Sequence, residues 1–251
     1  SRAIAGYAES VSGLNAVDYE HIWRSARDYN ARLLERANPF RVLEEDEADY
    51  NGELNVGNNG IMGYIEIPSI EVSLPIYHGT SDGVLQVAVG HLQGSSLPVG
   101  GPSTHCVLSG HRGLPSAKLF TNLDQLAEGD IFMLRILNET LTYEVDQIHI
   151  VLPDEMGDLV VQEGQDHCTL ITCTPYGVNT HRLLVRGKRI ETPEAASSAR
   201  ITADAVRIDP ILVAPVAAAP MLLALFIWAI AAPGRGKKKK KPSGKRVKKQ
   251  S

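Results

Sequence analysis

The sequence predicts a mainly β protein, a closed or nearly closed barrel over residues 61–191, with a helix and loop before it and a membrane-spanning helix after it. Three observations carry that prediction. Short apolar runs punctuated by Gly and Pro fill residues 62–190. An amphipathic pattern of helical period precedes them. A 22-residue stretch without a charge, residues 211–232, follows them and leads into a dense basic tail.

Within residues 1–60, Tyr19, Ile22, Trp23, Ala26, Tyr29 and Leu33 recur at three- and four-residue spacing, which predicts a helix over residues 15–37. Asn38-Pro39 stops it, because proline disfavours helix at the residue before it. The acidic residues 44–49 and the Asn/Gly-rich residues 55–60 read as loop. Strands are expected at 62–67, 70–76, 104–109, 130–137, 140–151, 168–172 and 182–190, with Asn138-Glu139 as a hairpin turn. Short helices are expected near 82–89 and 116–123. Residues 192–209 read as a linker to the span at 210–232.

About 20 apolar residues suffice to cross the hydrocarbon core as a helix. Pro215 and Pro220 are tolerated there better than in a soluble helix. The tail at 233–251 carries ten basic residues and no acidic one, the mark of the cytoplasmic side. The expected arrangement is therefore a single C-terminal span with residues 1–209 outside the cell, and a targeting segment is expected to precede Ser1. The overall charge of −4 conceals an uneven distribution. Outside the tail, 15 basic side chains face 29 acidic ones, which leaves about −14 and makes nucleic acid an unsuitable partner.

Three cysteines are too few for a disulfide framework, and an odd number outside the cell leaves a thiol to be explained. Cys173 ends an apolar strand, and Pro175 and Gly177 follow, so it stands where sheet gives way to loop. A free thiol titrates near pH ~8.5, so an effective nucleophile needs a base or a positive charge beside it. Arg182, at the start of the next strand, and His111, after the strand at 104–109, are the candidate partners. Taken singly, each has a structural alternative: core thiol, surface ion-pairing arginine, supporting histidine. His78, His91, His105, His167 and His181 are read as structural or surface residues, with His181 turned to the face opposite Arg182. Cys106 and Cys168 each lie five residues before a candidate. If their strands are parallel neighbours, they form a second, proximate pair on the other sheet face, expected to be reduced.

Thr169-Leu-Ile-Thr-Cys173, Arg182 at its spacing, and Ser109-Gly-His111-Arg-Gly resemble the cysteine, arginine and histidine motifs of the sortases. Gly63-Tyr-Ile-Glu-Ile-Pro68, Leu74-Pro-Ile-Tyr-His-Gly-Thr80, Gly90-His-Leu92 and Leu114-Pro-Ser-Ala-Lys-Leu-Phe120 extend the likeness over residues 15–190, in the same order. The resemblance implies an eight-stranded sortase-type barrel whose groove takes a Leu-Pro-x-Thr-Gly (LPXTG) sorting signal. It implies that Cys173 forms a thioacyl enzyme, that His111 exchanges protons with the leaving and incoming amines, and that Arg182 holds the substrate carbonyl or the oxyanion. No metal and no cofactor is implied.

The C-terminal span and the segment before residue 61 resemble the pilus-assembling branch, class C, in which that segment forms a lid over the site. The family's lid carries Asp-Pro-aromatic; here the nearest match is Asn38-Pro39-Phe40. Phe40 is expected to cover Cys173 and Asn38 to lie near Arg182, with a weaker hold than aspartate would provide; in the alternative, Asn38-Pro39 merely ends the helix. The implied acceptor is a pilin lysine; the alternative is a cell-wall precursor amine, as in the anchoring branch. Two readings without catalysis are a structural zinc site from Cys106, His111, Cys168 and Cys173, and a tethered adhesion module.

Overall fold

The computed structural model describes residues 2–113 and 119–193. Eight strands close into one barrel: β1 (Ile61–Ile67), β2 (Val72–His78), β3 (Val89–His91), β4 (Thr104–Ser109), β5 (Ile131–Ile136), β6 (Glu139–Val151), β7 (Asp166–Thr174) and β8 (His181–Ile190). Their order around the barrel is β1-β2-β3-β4-β7-β8-β6-β5, with β5 returning to β1. Closure gives every strand of the barrel a partner on each side.

Alternation divides each wall into an inner and an outer face. Cys106 and Leu108 of β4, Cys168 and Leu170 of β7, and Leu183 and Val185 of β8 join Ile65, Phe132, Leu134 and Tyr143 in the interior. The intervening residues of the same three strands, Val107, Ile171 and Leu184, form a separate apolar cluster on the outside.

Three helices lie before the barrel: α1 (Arg2–Ser12), α2 (Ala16–Leu34) and α3 (Glu44–Gly52). Asn15 caps α2 by accepting hydrogen bonds from the amides of Val17 and Asp18, while its own amide donates to Asp18, a reciprocal capping box worth about 1 kcal/mol. The stripe Trp23, Ala26, Tyr29 and Leu33 is the buried face of α2, as its spacing predicts. Asn30 is buried with it and exchanges two hydrogen bonds with the Leu97 backbone, which fixes the height of α2 against the barrel.

Several local expectations are corrected. The acidic stretch expected as loop is α3, because Glu44, Asp46 and Glu47 stand in its first turn, where carboxylates complement the helix dipole. Buried Tyr50 anchors its other end: the hydroxyl meets His91 Nδ1 at 2.9 Å and accepts from the Gly79 amide. The hairpin turn is Leu137-Asn138, not Asn138-Glu139; Glu139 already pairs with Ile136 and Leu137 takes the positive φ. The helix expected at 82–89 is one turn, α4 (Asp82–Leu85), and Val89 opens β3. β3 has only three residues, too few to display an alternating pattern. Near 116–123 the described part is a turn followed by a 3-10 turn at Leu123–Gln125. No helix among the described residues is long and apolar enough to cross a membrane, and the expected span at 210–232 and tail at 233–251 lie outside them.

Candidate active site

The site forms where β4, β7 and β8 end together on the outer face. β7 runs antiparallel to β8, and Cys173 is the register partner of Arg182. β4 runs parallel to β7, pairing Cys106 with Cys168 and Ser109 with Ile171. The ladder continues past Ser109: the Gly110 amide donates to the Ile171 carbonyl at 3.0 Å, and the Thr172 hydroxyl donates to the Gly110 carbonyl at 2.8 Å. One further step sets His111 level with Cys173. His111, Cys173 and Arg182 thus form one row across three adjacent strands, all half-buried.

Each polar group in the row is left available. Arg182 Nη1 donates to the carbonyls of Asn179 (3.3 Å) and His181 (3.1 Å), which hold the guanidinium without neutralising it. Among the described residues no hydrogen bond reaches the His111 ring or the Cys173 thiol. His181 pairs with Thr174 and so takes the opposite parity to Arg182, as alternation requires.

The interior pair is different in kind. Cys106 and Cys168 are register partners, both sealed from solvent and both free thiols. Burial pushes the Cys168 thiol well above its ordinary value, and a hydrogen bond with Cys106 adds to this. The five-residue offset therefore places one pair inward and one row outward. That parity also removes the zinc reading, since Cys106 and Cys168 face away from His111 and Cys173.

His78, His91, His105 and His167 have structural partners or burial. His91 lies between Tyr50 and the Ser96 carbonyl. His78 is held by the Gly60 and Glu53 carbonyls. His105 meets Thr169 Oγ1 at 2.7 Å and the Val160 carbonyl at 3.1 Å, and burial pushes its pKa down to about 4. His167 packs edge-on against His105 and is lowered by burial.

Asn38, Pro39 and Phe40 lie between α2 and α3. Phe40 packs on the outer-face cluster of Val107, Leu159 and Leu184. Gly94 permits this approach: a Cβ there would stand 2.5 Å from the Pro39 carbonyl oxygen and 2.8 Å from Phe40 Cα. Two ion pairs bracket the segment, Arg36 with Asp46 (2.7 Å) and Arg32 with Asp49 (2.7 Å). The hydrogen bond from Arg36 holds the Asp46 carboxyl below its usual range. Asn38 and Phe40 border a cavity of about 480 Å³ that also reaches Ser96, His105 and Leu159. The hydrogen bonds of Arg182 go to its own loop, not to Asn38. A larger cavity of about 790 Å³, between α2 and the far ends of β7 and β8, is remote from this row.

A sortase-domain family model matches residues 65–190, the barrel that carries all three residues of the row. The chain belongs to the sortase family. It is similar to sortase C1 of Streptococcus agalactiae, with a TM-score of 0.75 and 52% identity over 77% of this chain and 100% of that one. Sortase C of Streptococcus pneumoniae, whose structure bears on catalysis and pilin substrate specificity, is 43% identical, with a TM-score of 0.66 over 76% of this chain and 98% of that one. Sortase D of Bacillus subtilis (strain 168) is 30% identical over 148 residues, 58% of this chain and 72% of the relative. These likenesses make the protein a cysteine transpeptidase and a class C sortase.

Two features of this sortase's site escape sequence reasoning. Thr172 reads as an ordinary strand residue, yet its hydroxyl ties the His111 turn to β7. Arg112 draws no notice in the sequence beyond its place in the His111 motif, yet its side chain is only 10% exposed. The Gly on either side of His111-Arg112, marking a tight turn, was the available signal.

Proposed function

We propose that this sortase cleaves an LPXTG-type sorting signal between Thr and Gly and transfers the acyl group to a lysine amine of a pilin subunit. The observation that carries the reading is the single outward row of His111, Cys173 and Arg182. A nucleophile, a proton-transfer group and a cation stand side by side on three strands whose hydrogen-bonded ladder fixes their spacing.

In the proposed sequence the Cys173 sulfur attacks the threonine carbonyl carbon, and Arg182 donates to the oxygen as negative charge develops there. The carbon–nitrogen bond breaks and His111 protonates the departing glycine amine, leaving a thioester on Cys173. The incoming lysine amine attacks that carbon, gives a proton to His111, and expels the sulfur. One amide is exchanged for another, and neither redox chemistry nor a metal enters the balance. Phe40, which packs on the apolar cluster of the same outer face, is proposed to shield the row until substrate enters.

Anchoring through residues 210–232, with the barrel outside and the basic tail at 233–251 inside, belongs to the same proposal and is supported by the uncharged 22-residue stretch and the lysines after it. Resistance of the protein to alkaline extraction from membranes tests that part. Incubating the full chain with a pilin that bears the motif tests the chemistry. Covalent ladders are the expected outcome; transfer only to a peptidoglycan-type amine would replace the pilin acceptor with a cell-wall one.

A further inference from the structure

Arg112 is buried where three segments of chain meet. Its Nη2 pairs with Asp124 Oδ2 at 2.5 Å, beyond the turn at 119–122. Its Nη1 donates to Thr174 Oγ1 at 3.4 Å, in the residue after Cys173. Its guanidinium carbon lies 5.9 Å from the ring centroid of Tyr176, in the loop between β7 and β8. The next residue, Gly113, takes φ +81°, and a Cβ on it would stand 2.6 Å from Tyr176 Cε2. On the other flank the His111 carbonyl accepts from the Phe120 amide at 3.1 Å.

These contacts cost something that packing alone does not require. The side chain is only 10% exposed, and its Nε is buried with no partner among the described residues. Burying a cation with one donor unsatisfied is unfavourable, and an outward rotamer would relieve it. The position is held instead by the planar fork, which alone among side chains can reach a carboxylate and a hydroxyl at once while lying on an aromatic face. The fork joins the residue next to His111 to the residue next to Cys173.

We propose that Arg112 is a positioning residue that locks the His111 turn to the Cys173–Tyr176 loop and so sets the approach of the imidazole to the thiol. The inference rests on the roles of Cys173 and His111 proposed above. It acts on the chemical step and not on substrate binding, since its side chain is only 10% exposed and its guanidinium contacts are with Asp124, Thr174 and Tyr176.

The full chain is tested with an LPXTG peptide and an amine acceptor, with folded fraction monitored by near-UV circular dichroism. Arg112→Ala is expected to lower kcat ~10–100-fold, the range for a misplaced catalytic group, with KM for the peptide within about two-fold. Arg112→Lys is expected not to rescue, because a point charge satisfies Asp124 but cannot span to Thr174. The limbs of the kcat/KM profile against pH should shift in both variants. Thr174→Val, which removes the contact from the other side, should reproduce part of the kcat loss and add little to Arg112→Ala. A raised KM at unchanged kcat would overturn the proposal in favour of substrate contact. Full activity of Arg112→Lys, or a loss that only follows the folded fraction, would reduce Arg112 to a structural cation. If His111→Ala and Cys173→Ala remain active, it is the catalytic reading itself that fails.

Discussion

The two faces of the β4–β7–β8 wall carry the same chemical groups and use them in opposite ways. Inside the barrel, Cys106 and Cys168 pair across the ladder, sealed and hydrogen-bonded, where burial keeps the Cys168 thiol protonated. Outside, five residues further along the chain in each case, His111 and Cys173 are half-buried, and Arg182 is the register partner of Cys173. Residue type does not separate reactive from inert cysteine here. Parity on the strand does, because it decides whether a thiol meets a packed interior or a face that substrate can reach.

The sharpest way to break that comparison is to exchange the outcomes. Cys173→Ala is expected to remove transpeptidation by at least about 10³-fold without lowering the melting temperature, and Arg182→Ala to cost ~10²–10³-fold, the worth of one donor at a developing oxyanion. Turnover of the LPXTG peptide measures both. An interior substitution should do the reverse: Cys168→Ala is expected to cost about 1–3 kcal/mol in denaturant unfolding and leave the kcat of the folded protein within about two-fold. If Cys168→Ala abolished chemistry in a folded protein, the division between the faces would not hold.

The outer face is itself divided, and pH exposes the boundary. His105, buried below the row, holds its pKa near 4. Between about pH 6.5 and 4 the unfolded chain binds a proton at this site and the folded chain does not, so stability present above that window is lost on acidification through it, up to about 3 kcal/mol. His105→Gln should flatten the fall of the melting temperature between pH 6.5 and 4.5. An unchanged slope would show that the group does not titrate as its burial implies.

Smaller effects concern the cover. Phe40→Ala removes the aromatic ring from the outer-face cluster of Val107, Leu159 and Leu184, and is expected to speed alkylation of Cys173 several-fold while Cys106 and Cys168 stay unreactive. Asn38→Asp is expected to slow the same alkylation slightly, through a charge-assisted contact that asparagine does not provide. Equal rates for Asn38→Asp and the parent would leave Asn38 with no role in the cover, since α2 already ends at Leu34.

Much of this was legible in the sequence because it depends on period and order. The alternation of β4, β7 and β8 and the five-residue offsets of Cys106 and Cys168 put the interior pair and the His111–Cys173 row on opposite faces once the two strands are parallel neighbours, as they are. The stripe of Trp23, Ala26, Tyr29 and Leu33 likewise defined α2 and its buried side. What period could not supply was structure set by partners distant in sequence. α3 was hidden because acidic composition suggests a solvated loop; its ion pairs with Arg32 and Arg36 and the docking of Tyr50 on His91 add to the acidic first turn in holding it as a helix. β3 exists only because β2 and β4 hold three residues between them.

The sequence by itself determined the family, the barrel and the three residues of the row, since motif order and strand parity are properties of a single chain read in one dimension. The tertiary structure alone decided where Phe40 rests, that Arg182 is held by its own loop and not by Asn38, and that the Arg112 side chain is tucked between the His111 turn and the loop after Cys173. Those are matters of which distant segments share space, and a buried contact depends on both of its partners while a sequence position specifies only one.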